Sequence, residues 1–170
     1  MRWFIDGYNV IRRDPDLRAR EAESLEAGRR ALQHLLARAR RDPRDEFTVV
    51  FDGSGIRGGM QPDGRIRVIF SRPPLTADDE LARLARHWKS GAVVVSSDRT
   101  VQDAARRAGC AALTAEQFLE GLRTEPRPSS PGPPSDKADL EAPATKKGNP
   151  RRLSKKARRA RRALRRLRES

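Results

Sequence analysis

The sequence predicts an α/β fold: a mostly parallel sheet of five strands with helices on both faces, followed by a disordered linker and a basic helical tail. Two observations predict it. Short apolar runs alternate with segments of helical periodicity, the pattern of strands joined by helical crossovers. The charge is also split. Lys146 to Ser170 holds 13 of the 37 basic residues but one of the 23 acids, Glu169. The remaining 24 basic and 22 acidic residues nearly cancel, so a near-neutral body carries a cationic arm.

The elements follow in chain order. Trp3-Phe4-Ile5 is a short apolar strand. Ala22 to Arg41 has helical periodicity, with Leu25, Leu32, Leu35, Leu36 and Ala39 on one side. Phe47 to Phe51 is a strand, Asp63-Gly64 a turn, and Arg65 to Phe70 alternates basic and apolar residues as a further strand. The connection from Gly53 to Gly64 has no clear helix and only about the dozen residues a parallel crossover needs, so the direction of the 65–70 strand stays open. Thr76 to Trp88 is a helix with Leu81, Leu84 and Ala85 inward. Ala92 to Val95 is a buried strand, Arg99 to Ala108 a helix ended by Gly109, Ala111 to Leu113 a short strand, and Ala115 to Leu122 a last helix. The body spans 1–122. Residues 123–149 hold six of the twelve prolines and little that can be buried, a stiffened linker. Residues 150–170 form the basic tail.

Composition excludes several classes. A single cysteine, Cys110, rules out an internal disulfide or a cysteine-rich zinc site and reads as a small buried apolar residue. The start, Met1-Arg-Trp-Phe-Ile-Asp6, is unlike a signal peptide. No apolar run approaches the ~20 residues of a membrane span, so a soluble cytoplasmic protein is expected, with no membrane partner. His34 and His87 have no partner at ligand spacing and read as surface or packing residues.

Three apolar runs end in aspartate: Ile5-Asp6, Phe51-Asp52 and Val95-Ser-Ser-Asp98. Parallel strands would bring all three to one C-terminal edge, where open α/β sheets place their sites. Thr76-Ala-Asp78-Asp79-Glu80 opens a helix capped by Thr76. A crossover helix runs antiparallel to its strands, so its acidic start reaches the same edge. Aspartate after a strand also suits a loop or a helix cap, and for any one of these residues that explanation is equally good. The convergence of all of them is harder to explain that way. Clustered carboxylates need protonation or a cation, and an all-oxygen set favours Mg²⁺ or Mn²⁺. Beside a basic arm, such a cation suggests phosphodiester hydrolysis.

Ile5-Asp6-Gly7-Tyr8-Asn9-Val10-Ile11, Val49-Val50-Phe51-Asp52, Thr76-Ala77-Asp78-Asp79-Glu80-Leu81 and Val94-Val95-Ser96-Ser97-Asp98 together resemble the NYN domain, and more closely its YacP-like branch within the PIN-like nuclease group. The resemblance runs from about Arg2 to Leu122. It implies a PIN-like sheet and a metal-dependent endoribonuclease acting on single-stranded RNA, with ribosome association and cleavage of messenger RNA in the YacP-like branch. By position, Asp6, Asp78 and Asp98 match the family's metal-binding acids, and Asn9 and Asp52 its accompanying polar residues. Asp79 matches a position often acidic in the branch and ranks second to Asp78. Asn9 and Ser97 can orient a water or phosphate oxygen, although a backbone cap explains Ser97 equally well. Arg99, after the last acid, is a further candidate phosphate contact, although a solvated arginine at a helix start explains it better.

In the tail, Asn149-Pro150 marks a helix start. Leu153, Ala157, Ala160, Leu164 and Leu167 form a narrow apolar stripe on an otherwise basic helix. Arg151, Arg152, Lys155, Lys156, Arg158, Arg159, Arg161, Arg162, Arg165 and Arg166 are its candidate RNA contacts, and RNA would relieve their mutual repulsion and order the helix. The weak, aromatic-free stripe disfavours a membrane surface. A catalytically silent RNA- or ribosome-binding module is the alternative to a nuclease. A phosphorylated-Asp receiver would want a lysine after a late strand, a phosphatase Asp-x-Asp at position 6, and a dinucleotide-binding fold a glycine-rich loop directly after the first strand. The sequence has none of these.

Overall fold

The computed structural model describes residues 1–39, 44–53, 66–123, 158 and 160–165. Five strands, β1 (Arg2–Asp6), β2 (Glu46–Phe51), β3 (Ile66–Phe70), β4 (Ala92–Val95) and β5 (Ala111–Leu113), form one sheet in the order β3-β2-β1-β4-β5. Every pairing is parallel. That settles the direction of β3, which pairs Phe47 with Ile66 and Phe51 with Phe70. The Asp63-Gly64 turn lies outside the described residues.

Side chains alternate across the strands, so the sheet has a core on each face. Trp3, Ile5, Phe47, Val49, Phe51, Val93 and Val95 point to one side. There they meet α1 (Gly7–Arg13), α2 (Pro15–Glu23), α3 (Leu25–Ala39) and α6 (Ala115–Arg123), through Val10, Ile11, Leu17, Leu32, Leu36, Phe118 and Leu119. Phe4, Val50 and Val94 point to the other, against Leu81, Leu84 and Ala85 of α4 (Ala77–Trp88) and Val101 and Ala105 of α5 (Arg99–Ala108). Burial on both faces explains why the inner strands read as unbroken apolar runs. Cys110 is buried in this second core, and His34 and His87 are exposed.

The structure revises one segment. The expected single helix over 22–41 is two helices, broken at Ser24, whose backbone is extended and whose Oγ accepts from the Ala27 N–H at 3.0 Å. Leu25, expected on the inner side, is instead half exposed, because it opens α3 beyond the reach of the core. α1 and the start of α2 precede this segment and add about four helical turns that periodicity does not predict. Asp14 separates them and caps α2, with Pro15 at the first helical position.

The C-terminal basic segment meets the body. Residues 160–165 are helical, Ala163 is buried in the first core, and Ala160 and Leu164 pack against it. The sequence offered the apolar stripe no partner within the protein, because the covering surface is assembled from distant segments. Arg158, Arg161, Arg162 and Arg165 remain exposed. The linker, apart from Arg123 at the end of α6, and Leu153, Ala157, Leu167, Arg151, Arg152, Lys155, Lys156, Arg159 and Arg166 lie outside the described residues.

Candidate active site at the sheet edge

The site is built at the C-terminal ends of β1, β2 and β4. Asp6 closes β1 opposite Val50, and Ile5 pairs with Val95, so Ser96 emerges beside Asp6. The Ser96 hydroxyl donates to Asp6 Oδ2 at 2.9 Å. Asp6 is also the N-cap of α1, its Oδ1 accepting from the Asn9 N–H at 3.2 Å. Gly7 between them lets the Phe51 ring pack where a side chain would stand.

Asn9 ties the first strand to the fourth. Its Oδ1 accepts from the Ser97 N–H at 2.9 Å. Ser97 Oγ donates to Glu116 at 2.9 Å and accepts from the Ala115 N–H at 3.1 Å, and Glu116 pairs with Arg13. Asp98 is the N-cap of α5, accepting from the Thr100 and Val101 N–H groups at 2.6 and 3.3 Å. Asp52, just past β2, accepts from the Ser71 hydroxyl at 3.0 Å and from the Ala77 N–H at 2.6 Å, which fixes the start of α4 at the edge.

Asp78 lies in the first turn of α4. Asp79 points elsewhere: it completes the capping box with Thr76, accepting from its N–H and hydroxyl at 3.0 Å. Those bonds hold Asp79 below the usual carboxylate range. Arg99 opens α5 and is exposed.

The carboxylates feel one another. Burial pushes Asp6 above the usual carboxylate value, and repulsion from Asp78 and Asp52 adds to it. The bonds from Asn9 and Ser96 oppose the shift. Asp78 is likewise raised, first by desolvation and then by Asp98, Asp52 and Asp79. Asp6, Asp52, Asp78 and Asp98 therefore share one negative field. Among the described residues, no three His, Cys, Asp or Glu side chains are placed to hold a metal ion together; Asp52 and Asp98 turn an oxygen onto backbone N–H groups instead. The donor chemistry still fits a hard divalent cation. The set is oxygen only, and such a cation would relieve the mutual repulsion that adds to burial in raising Asp6 and Asp78.

Ser96, Ser71 and Glu116 complete the site without standing out in the sequence as site residues. Ser96 is fully buried, bonded to Asp6, to the Asp98 N–H and, through its carbonyl, to Gln102 Nε2. Its place in Val95-Ser-Ser-Asp98 was the available signal. Ser71 and Glu116 gave none, since each reaches the site only through the fold.

A parallel sheet with acidic side chains at its C-terminal edge defines the class: an α/β domain with its site at the strand ends. The chain belongs to the YacP-like NYN domain family, whose sequence model matches residues 3–167. It is 31% identical over 125 residues to the uncharacterized protein YacP of Bacillus subtilis, covering 71% of this chain and 74% of that protein. It is also similar to the crystal structure of Rae1 (YacP) from Bacillus subtilis, with a TM-score of 0.62 and 29% identity over 72% of this chain and 73% of that one. A tryptophan-to-leucine mutant of that protein matches with a TM-score of 0.60 and 28% identity, over 72% and 74% of the two chains. No described helix is long and apolar enough to cross a membrane.

Proposed function

We propose that this protein is a metal-dependent endoribonuclease that cleaves single-stranded RNA at the C-terminal edge of its sheet. The observation that carries the reading is the convergence of Asp6, Asp52, Asp78 and Asp98 on one sheet edge: Ser96 bonds both Asp6 and the Asp98 N–H, and Asp52 bonds the Ala77 N–H beside Asp78 at the start of α4. Asp6, Asp78 and Asp98 would hold Mg²⁺ or Mn²⁺, which when bound activates a water and stabilises charge on the phosphate. Asp52 anchors α4 so that Asp78 faces its partners. Ser96 orients Asp6. Asn9, with its oxygen engaged by Ser97, still has an NH₂ group to offer a phosphate oxygen. Arg158, Arg161, Arg162 and Arg165 supply cationic surface for the RNA backbone. The ribosomal setting enters through the family resemblance.

The test is cleavage of end-labelled single-stranded RNA. We expect activity with Mg²⁺ or Mn²⁺, and none in a chelator or in Asp6→Asn and Asp98→Asn. Asparagine can still cap a helix, so the fold should survive. Unaltered cleavage by these variants, or full activity in the chelator, overturns the mechanism. Metal-independent RNA binding without cleavage by the wild type makes the protein a silent RNA-binding module instead.

A further inference from the structure

On the other face of the same edge, an arginine is held by groups that do not neutralise it. Arg29 lies in the first two turns of α3, where Gly28 lets α3 close onto α2; a Cβ there would come within 2.9 Å of Glu21. The Arg29 guanidinium stands 5.4 Å from the Tyr8 ring centre, 5.5 Å from Phe51 and 4.9 Å from Phe70. Its Nε–H donates to Tyr8 Oη at 2.9 Å, and Nη2 donates to the same oxygen. Each of the three rings belongs to a residue one or two positions from the acidic site: Tyr8 from Asp6 and Asn9, Phe51 from Asp52, and Phe70 from Ser71, which bonds Asp52.

Three nearby arginines have carboxylate partners, including Arg12, which also stands 5.5 Å from the Tyr8 ring centre. Arg12 pairs with Glu21, Arg20 with Glu23 and Arg30 with Glu26. Among the described residues no carboxylate pairs with Arg29. Aromatic faces attract a cation without cancelling its charge, and a half-buried cation keeps its pull on an incoming anion. The hydrogen-bond count leaves donors over. A guanidinium has five N–H groups and two are spent on Tyr8. Tyr8 Oη accepts both, so its own O–H remains a donor, and no described residue accepts it.

We infer that Arg29 and Tyr8 form a phosphate clamp that grips a phosphodiester of the single-stranded RNA lying across the sheet edge. It holds the strand on the side opposite α4 while the acids act on it. The planar fork suits two phosphate oxygens at once. This inference rests on the nuclease reading above, and its test separates the two.

The test measures binding of a short labelled single-stranded RNA to full-length protein carrying Asp98→Asn, so that the RNA stays intact. Adding Arg29→Met should weaken binding about tenfold to a hundredfold, the range for losing a hydrogen-bonded charge. It should also flatten the dependence of log affinity on log salt by about 0.7 for each phosphate no longer neutralised. Arg29→Lys should fall in between, because it keeps the charge and loses the fork. Tyr8→Phe should lose several-fold while keeping its ring. One neutral methylphosphonate, scanned along the RNA, should at one position weaken the parent and leave Arg29→Met unaffected. A folded Arg29→Met with the parent's affinity and salt slope makes the cage purely structural and overturns the proposal. If Arg29→Met does not fold, unchanged affinity and slope in both Arg29→Lys and Tyr8→Phe overturn it. Should the wild type neither bind nor cleave RNA, the nuclease reading fails together with the clamp.

Discussion

Replacing Gly7 by alanine tests whether the site depends on close packing behind Asp6. An alanine Cβ at position 7 would meet three carbons of the Phe51 ring at 2.2, 2.5 and 2.7 Å. Ordinary carbon contacts lie at about 3.5–4.0 Å, so the ring must retreat by about 1 Å or more. It has little room. Phe51 is fully buried, with Tyr8 edge-on at 5.0 Å and Phe70 stacked at 5.8 Å. Overpacking of this kind costs about 1–3 kcal/mol and occasionally more. Alanine's better helix propensity offsets at most ~1 kcal/mol, and less at a helix's first position. The expected net loss is about 2 kcal/mol, or roughly 4–8 °C in Tm for a chain of this size. Urea unfolding followed by the fluorescence of Trp3 and Trp88 reads it directly. Asp6 precedes the glycine and Asp52 follows the ring, so cleavage should fall even where Gly7→Ala is fully folded. Combining Gly7→Ala with Phe51→Leu should cost less than the sum of the two, because leucine vacates the contested space. An alanine variant as stable as wild type, or strict additivity of the pair, would refute the packing argument.

Three further outcomes follow from the same geometry. The folded-state pKa of Asp78 lies above 3.8, so ionising it costs stability as pH rises from 3.8 through that folded value. Asp78→Asn should therefore be more stable than wild type at neutral pH, by about 0.2–1 kcal/mol because the side chain is solvent-screened, with no difference below pH 3.8; equal melting at neutral pH argues against the shared field. Ser96→Ala removes the bond to Asp6 and the acceptor for the Asp98 N–H, costing about 1–3 kcal/mol. It also pushes Asp6 further up, so the acid limb of the cleavage profile should move to higher pH; an unmoved profile would count against Ser96 as a positioning residue. Ala163→Glu places a charge in the first core, which the chain avoids by releasing the C-terminal helix. Trypsin should then cut the arginine-rich tail faster than in wild type, and equal cutting rates would mean that the helix is not held there.

The strands were legible because burial on both faces leaves a one-dimensional mark: Val93-Val94-Val95 can be little else. The edge followed from it, since parallel strands ending in Asp6, Asp52 and Asp98 must end together. What escaped was carried by short-range signals or by distant assembly. Asp14-Pro15 is a clear cap and helix start, but the helices it separates are only seven and nine residues long, too short for periodicity to show. Ser24 stops one helix and caps the next, and within an otherwise continuous pattern it reads as a tolerated polar residue. The surroundings of Arg29 could not be read, because its three rings arrive from α1, β2 and β3. The partner of Ala163 could not be read for the same reason.

The sequence left each aspartate with two explanations, cap or ligand, and the structure weighs them residue by residue. Asp6, Asp52 and Asp98 all accept backbone N–H bonds, so local architecture alone accounts for an acid at each position. Those bonds do not preclude a second use. At Asp98 and Asp52 they fall on Oδ1, and no described residue donates to the second oxygen. Asp78 is different. Thr76 and Asp79 already complete the cap of α4, and Asp78 accepts no hydrogen bond among the described residues. The helix dipole favours an acid there by about 0.3–1 kcal/mol, yet Asp79 and Glu80 already occupy that turn. In return Asp78 is repelled by Asp98, Asp52 and Asp79. Beyond that small dipole contribution the fold has no structural use for this carboxylate, and burial and the neighbouring acids penalise its charged form. A gain in stability for Asp78→Asn together with a loss of cleavage would therefore locate the function at the residue that architecture does not explain.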